Sequence, residues 1–353
     1  MTQTLLHHAA ELGPSLAGID TSISGAFVTD APAAPQLTRV PKELVHLRHD
    51  DAVLCTGWQR HDAHHYTVTA HWPPGATRHV PGHGTHHDPV ITARTIRQAA
   101  LLIAHAEFDA PLQHPTLLHT FDYTLDPTQP APPVTHATDI TLHLTATPTA
   151  TRRNQTTALH IRMTLARNDV PIGTAETTFE WVPPMVYRRL RGDYYAPVTQ
   201  QQPLPAPVPP HRLGLTSRAQ VLISPTSQPH RYLLRNDIAN PTHYDHPLDH
   251  VPGLALLDAA HQAAHLAAPS AVPFRPTGTR TTFDRFIEIN EPTQLAAYVT
   301  STLEATTITV TGHQNDHLAF TTHLTQHPGA LAEFDMATYA DSNADAADHS
   351  GTY

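Results

Sequence analysis

The chain has 353 residues and a formal net charge of -10 with His neutral, and Lys42 is its single Lys, a balance that disfavours a broad nucleic-acid-binding face. Cys55 is the one Cys, which rules out an internal disulfide or a thiolate zinc cluster and fits a reducing, cytoplasmic setting. The length suffices for two cores of ordinary size, no run approaches a membrane span, and the start MTQTLLHHAAELGP lacks the basic opening and long apolar core of a secretion signal.

Residues 1–38 are small, polar and Pro-containing, and read as a flexible segment. Order is expected from VPKELVH (40–46), followed by strand-like runs at 52–58 and 66–71, of which YTVTAH alternates with the period of a half-buried strand. A loop from Gly82 through His87-Asp88-Pro89 then leads into a helix over 90–105. Spacing on that helix aligns Ile91, Thr95, Gln98 and Leu102 in one stripe, with Arg94, Arg97 and Leu101 in the next. Alternating runs at 117–125, 139–147, 158–166 and 174–181, separated by turn signals, predict an antiparallel sheet that wraps the helix.

Residues 183–210, and especially QQQPLPAPVPP at their end, cannot donate the ladder hydrogen bonds of a sheet and read as an extended connector. Strands are expected next at 219–223 and 232–236. The His- and Asp-dense loop THYDHPLDHVPG follows, and then an apolar helix carrying Asp258, His261 and Gln262. Polar groups on so apolar a helix must face a cleft or answer one another, because an unpaired buried carboxylate costs several kcal/mol, about 3 or more. Strands at 279–289, 295–303, 307–312 and 317–323 complete the second half, and the Ala-, Asp- and Ser-rich end reads as disordered. The stretches 86–108 and 242–264 match, Arg97-Gln98-Ala99-Ala100 against His261-Gln262-Ala263-Ala264, so the plan is made twice. The expected organisation is a first domain at 39–185, a Pro-rich linker at 186–211, a second domain at 212–333 and a tail at 334–353.

A long central helix wrapped by an antiparallel sheet, made in tandem, is the α+β plan of a double hotdog. VPKELVH (40–46), TGW (56–58), HDP with TIRQAALLIAHAEF, VYRRLRG (186–192) and DHPLDHVPG with its helix together resemble the AfsA family of A-factor biosynthesis proteins. The resemblance implies an acyltransferase, without cofactor or bound metal, that makes the precursor of a γ-butyrolactone, butenolide or furan autoregulator. It would move a β-ketoacyl group from an acyl carrier protein thioester to the hydroxyl of dihydroxyacetone phosphate. A hotdog thioester hydrolase or dehydratase, and a non-catalytic acyl- or carrier-binding paralogue, are the alternative readings. No nucleic-acid or membrane partner is expected.

Family members carry a Glu-x-x-Arg-Gln pattern on both helices, whereas this chain has Arg94-x-x-Arg97-Gln98 and Asp258-x-x-His261-Gln262. The division read from this places Asp258 and His261, with His246 and His250 of the loop, in proton transfer. Arg94, Arg97, Gln98, Gln262, His87 and Asp88 are read as substrate contacts, since guanidinium groups suit a phosphorylated acceptor. For most of the thirty His residues the bland reading of compositional bias holds, and His243, His246 and His250 serve equally well as partners of loop carbonyls. Arg188, Arg189 and Arg191 read as a solvated or interdomain patch on which an acidic carrier protein would fit.

Overall fold

The computed structural model describes residues 40–75, 77–80, 84–131, 135–268 and 274–327. The expected flexible segment at 1–38 and the tail at 334–353 lie outside them. Twelve strands form one antiparallel sheet, and a separate hairpin pairs β3 (Thr77–Val80) with β4 (Gly84–His87). That hairpin occupies part of the stretch read from sequence as loop.

The first half of the sheet runs β1 (Cys55–Arg60), β2 (His65–Trp72), β6 (Thr138–Arg152), β7 (Gln155–Arg167), β8 (Val170–Trp181), β5 (Thr116–Leu125). The second half continues β11 (Gly278–Phe283), β14 (His317–Gln326), β13 (Thr306–Gln314), β12 (Thr293–Ser301), β10 (Arg231–Leu234), β9 (Ile223–Pro225). The order of one half is the other read outward from the same seam, where β5 and β11 pair antiparallel with Phe121 opposite Thr281 and Tyr123 opposite Thr279. Each half is a hotdog unit. Alternation along the strands sends one face inward, as in β6, where Thr138, Ile140, Leu142 and Leu144 are buried.

Helix α1 (Pro89–Glu107) crosses the inner face of the first half and α3 (Gly253–Ala267) that of the second, and the two helices touch. Asp88 starts α1 by accepting from the Val90 amide at 2.9 Å, with Pro89 at the first helical position. Around α1 the core is built from Trp72, Ile96, Leu102, Ile103, Leu142 and Ile161. On α3, Ala259, Ala260, Ala263 and Ala264 are fully buried, and their small side chains let the helix lie close to the sheet. Leu257 of α3 joins the first core and Phe283 packs against both, so the halves share apolar surface as well as a strand seam.

The repeat is closest before each first strand. VPKELVH (40–46) and VPPHRLG (208–214) both make a 3-10 turn, Lys42–Val45 and Pro210–Leu213, that ends on a left-handed residue. A second short turn follows in each, Asp50–Ala52 and Arg218–Gln220, and so the strand expected from residue 219 begins only at Ile223. In each half the helix Gln pins this segment. Gln98 accepts from the Leu54 amide at 2.7 Å and donates to the Ala52 carbonyl at 3.0 Å. Gln262 accepts from the Leu222 amide at 2.9 Å and donates to the Gln220 carbonyl at 2.9 Å. The expected linker opens as a helix, α2 (Pro184–Arg191), which buries Tyr187 and Arg191 while exposing Met185 and Leu190.

Candidate functional site

A cavity of about 1120 Å³ opens between the halves, walled by the 3-10 turn at Lys42–Val45 with His46, one face of α1, the approach to β5, helix α2 and the loop from Pro241 to Pro252. Among the sequence-derived candidates, Arg94, Arg97, Gln98, His246 and His250 line it. Asp88, Asp258, His261 and Gln262 are not among its lining residues. His87 belongs to β4 by its backbone.

Arg97 is the distinctive group. Among the described residues its guanidinium makes no hydrogen bond and no ion pair. Burial, and then the neighbouring Arg94, pull its pKa from 12.5 down to about 10, against the opposing pull of Asp245. Arg94 is held by the Ala52 carbonyl at 3.2 Å. Asp245, the nearby carboxylate, is engaged elsewhere, accepting from the Arg48 amide at 2.7 Å with His246 Nδ1 at 3.5 Å. His246 Nδ1 is close enough for attraction but not aligned for a hydrogen bond. A half-buried guanidinium with no hydrogen bond or ion pair of its own among the described residues has the chemistry to take an anion.

Arg191, also in the cavity lining, is sandwiched by acids. It meets Asp249 Oδ2 at 2.8 Å and Glu288 Oε2 at 2.6 Å, and its guanidinium lies 4.4 Å from the centre of the Phe286 ring. Burial alone would raise the Asp249 carboxyl, but hydrogen bonds from His250, Tyr187 and Arg191 hold it at about 2. His250 therefore belongs to a closed network, its Nδ1 2.7 Å from Asp249 Oδ1 and 3.3 Å from the Tyr187 hydroxyl. The sequence reading of Arg191 as a solvated or interdomain patch gives way to a buried ion network. Arg188 and Arg189 are exposed.

The Asp258 carboxylate lies behind the cavity wall, 3.2 Å from His243 Nε2 and 3.3 Å from Gln262 Nε2. His243 lines the cavity, and its Nδ1 is buried without a hydrogen-bond partner among the described residues. Asp258 thus reaches the site through His243. His261 turns to the seam, where its Nε2 lies 3.0 Å from the Tyr123 hydroxyl and 3.3 Å from Thr279 Oγ1. Gln98 and Gln262 are occupied by the backbone they pin, and Asp88 caps its helix.

Sequence reasoning gave no role to His46 or His105. His105 Nδ1 is 2.6 Å from the Ala110 carbonyl, and its Nε2 is 2.8 Å from His46 Nε2. Burial first, then Arg97, His105 and His246, push the His46 imidazole down to about 3, so it is neutral at every ordinary pH. The available signal was the alignment of VPKELVH with VPPHRLG, which sets His46 opposite Gly214.

The chain matches the model of the A-factor biosynthesis hotdog domain over residues 28–183 and 198–338. A Streptomyces virginiae protein named 2-oxo-3-(phosphooxy)propyl 3-oxoalkanoate synthase is 34% identical over 80% of this chain and 95% of its own. The protein of the same name from Streptomyces coelicolor is 36% identical over 81% of this chain and 90% of its own. Among solved structures, a 12:0-ACP thioesterase from Umbellularia californica aligns over 76% of this chain and 99% of its own, with 8% identity and a TM-score of 0.44. With both halves matched and relatives above 30% identity along nearly their whole length, the chain belongs to the AfsA family of A-factor biosynthesis hotdog proteins.

Proposed function

We propose that this protein transfers a 3-oxoacyl group from an acyl carrier protein thioester to the free hydroxyl of dihydroxyacetone phosphate, making the precursor of a butyrolactone-type signal. The relatives' product name describes an ester of a 3-oxo acid whose alcohol part is a phosphorylated hydroxyketone. Arg97 carries the reading: an unanswered cation in the cavity wall suits the acceptor's phosphate, with Arg94 beside it. Apolar Leu117, Leu118, Leu254 and Phe283 line the cavity as well and suit an acyl chain.

In the reaction the acceptor oxygen attacks the thioester carbonyl, the carbon–sulfur bond breaks, and the hydroxyl proton passes through an imidazole to the departing thiolate. His243, His246 and His250 offer imidazoles to the cavity from the loop. Asp258 orients the first of these, so its part is to position His243 and not to meet substrate. Helix α2, which lends Tyr187, Leu190 and Arg191 to the cavity lining, exposes Arg188 and Arg189 with Met185 and Leu190, a mixed basic and apolar surface that suits an acidic carrier protein. Incubating the pure protein with a 3-oxoacyl carrier thioester and dihydroxyacetone phosphate should give the phosphorylated ester by mass spectrometry. Release of free acid alone, with no ester, would refute the proposal.

A further inference from the structure

We infer that His46 is the general base of the transfer, taking the acceptor's hydroxyl proton on Nδ1 while His105 holds the ring; this deepens the proposed function and rests on it. The internal repeat supplies the first observation. The left-handed residue that closes the 3-10 turn is His46 in the first half, at φ 55°, and Gly214 in the second, at φ 64°. Glycine fills that conformation without steric cost, whereas a side chain there is uncommon and marks a position held for another reason. The surrounding turns match bond for bond: Leu47 N donates to the Lys42 carbonyl and His46 N to Glu43, as Leu215 N does to Pro210 and Gly214 N to His211. Folding therefore does not require His at this position.

The second observation is the hydrogen-bond direction. The Ala110 carbonyl can only accept, so His105 carries its hydrogen on Nδ1 and presents a lone pair at Nε2. His46 Nε2 must then donate to it, which leaves the His46 lone pair on Nδ1, with no hydrogen bond among the described residues and the ring lining the cavity. On the other imidazoles of the cavity Nδ1 is not open to an acceptor: His250 Nδ1 lies 2.7 Å from Asp249 Oδ1, and Nδ1 of both His243 and His246 is buried, which leaves Nε2, and on His243 that atom faces Asp258.

Third, burial depresses the basicity of His46 most, and the cationic field of nearby Arg97 comes next, ahead of His105 and His246. A phosphate dianion bound to Arg97 cancels that cationic field, so the basicity of His46 rises when the acceptor arrives. His46 then takes the hydroxyl proton as the oxygen bonds to the acyl carbon. The resulting imidazolium gives the proton to the thiolate as the carbon–sulfur bond breaks, and both histidines return to their starting tautomers.

His46→Gly tests this, because Gly fits the backbone and leaves a hole the size of the ring. Expected are a loss of at least about a hundredfold in kcat for ester formation, the ordinary scale for a general base, and a KM for dihydroxyacetone phosphate within about threefold of wild type. Added imidazole should restore turnover saturably in this variant and not in Arg97→Met. In resting wild-type protein, the 15N signals absent from His46→Gly should show a protonated Nε2 and an unprotonated Nδ1. A kcat within about tenfold of wild type, a loss that imidazole leaves untouched, or a protonated Nδ1 would each overturn the assignment. Wild-type protein that makes no ester would instead sink the proposed function itself.

Discussion

Replacing Arg97 by Met keeps an apolar stem against α1 and removes a charge whose presence the folded state resists. The guanidinium pKa falls from 12.5 in the open chain to about 10 in the fold, with burial as the largest cause and Arg94 next. A group with its folded pKa below its unfolded value binds the proton less tightly when folded. Its charge therefore opposes folding at every pH below about 10, and the penalty fades only as pH rises towards 12.5. The full shift corresponds to about 3 kcal/mol, and the partial exposure of Arg97 to the cavity reduces this to about 1–3 kcal/mol. Arg97→Met should therefore be more stable than wild type by that amount in urea unfolding at neutral pH without ligand. Dihydroxyacetone phosphate at a hundred times its dissociation constant should add about 2.7 kcal/mol to the wild type and only about 0.4 kcal/mol to the variant, whose KM for this acceptor should rise about a hundredfold. A variant less stable than wild type, together with a wild type that phosphate compounds do not stabilise, would show that Arg97 is structural.

Arg191→Met should behave in the opposite way, losing about 3–5 kcal/mol in the same unfolding assay, because it leaves Asp249 and Glu288 buried without their cation. A loss below about 1 kcal/mol would mean the network is solvated. Asp258→Asn keeps an acceptor oxygen for Gln262 Nε2 and offers an NH2 to His243 Nε2, which can accept once the ring carries its hydrogen on Nδ1, so stability should stay within about 1 kcal/mol of wild type. Since Asp258 is proposed to act through His243 and not on substrate, turnover should stay within about tenfold; a larger loss at unchanged stability would make His243 the base. His46 predicts an acid limb: with a folded pKa of about 3 against 6.5 unfolded, its contribution is intact above pH 6.5 and fades as pH falls towards 3. Wild-type stability should therefore drop by about 1.4 kcal/mol per pH unit more steeply than that of His46→Gly across this window, and parallel curves would contradict the burial argument.

The fold was readable because its signals are local. Alternation marked the long strands, the Pro-rich break separated the halves, and two Pro-led apolar stretches marked the helices that the structure places at Pro89–Glu107 and Gly253–Ala267. Even the seam was implied, since two hotdog units in tandem present edge strands to each other. The site was harder to read because helical spacing does not say which stripe faces a cavity. Arg97 and Gln98 are adjacent, yet one reaches the cavity unpaired while the other also pins backbone, and nothing in IRQAA distinguishes them. Arg191 read as part of a solvated or interdomain patch because its partners, Asp249 and Glu288, are distant in sequence. Asp258 met the expectation that a buried carboxylate has an answer, but that answer is His243 from the preceding loop, with Gln262 beside it on the same helix.

Duplication explains this uneven division of labour. Both halves retain the Gln that fastens the first strand to the helix, and both retain the 3-10 turn ahead of it, so those features belong to folding. The positions that differ are where chemistry is proposed. The equivalent of Arg97 is His261, satisfied at the seam by Tyr123 and Thr279, and the equivalent of Arg94 is Asp258, satisfied by His243 and Gln262. The equivalent of His46 is Gly214. At each pair the second half holds the comfortable residue, and the first half holds an unanswered cation and a left-handed imidazole, both unfavourable to folding unless a ligand uses them. A single acceptor site on the first half of the cavity follows. Titration with dihydroxyacetone phosphate should saturate at one molecule per chain, and Arg97→Met should weaken that binding about a hundredfold. Two equivalents bound, or binding that the substitution leaves at wild-type affinity, would mean that the second half has kept a phosphate site that its residues do not reveal.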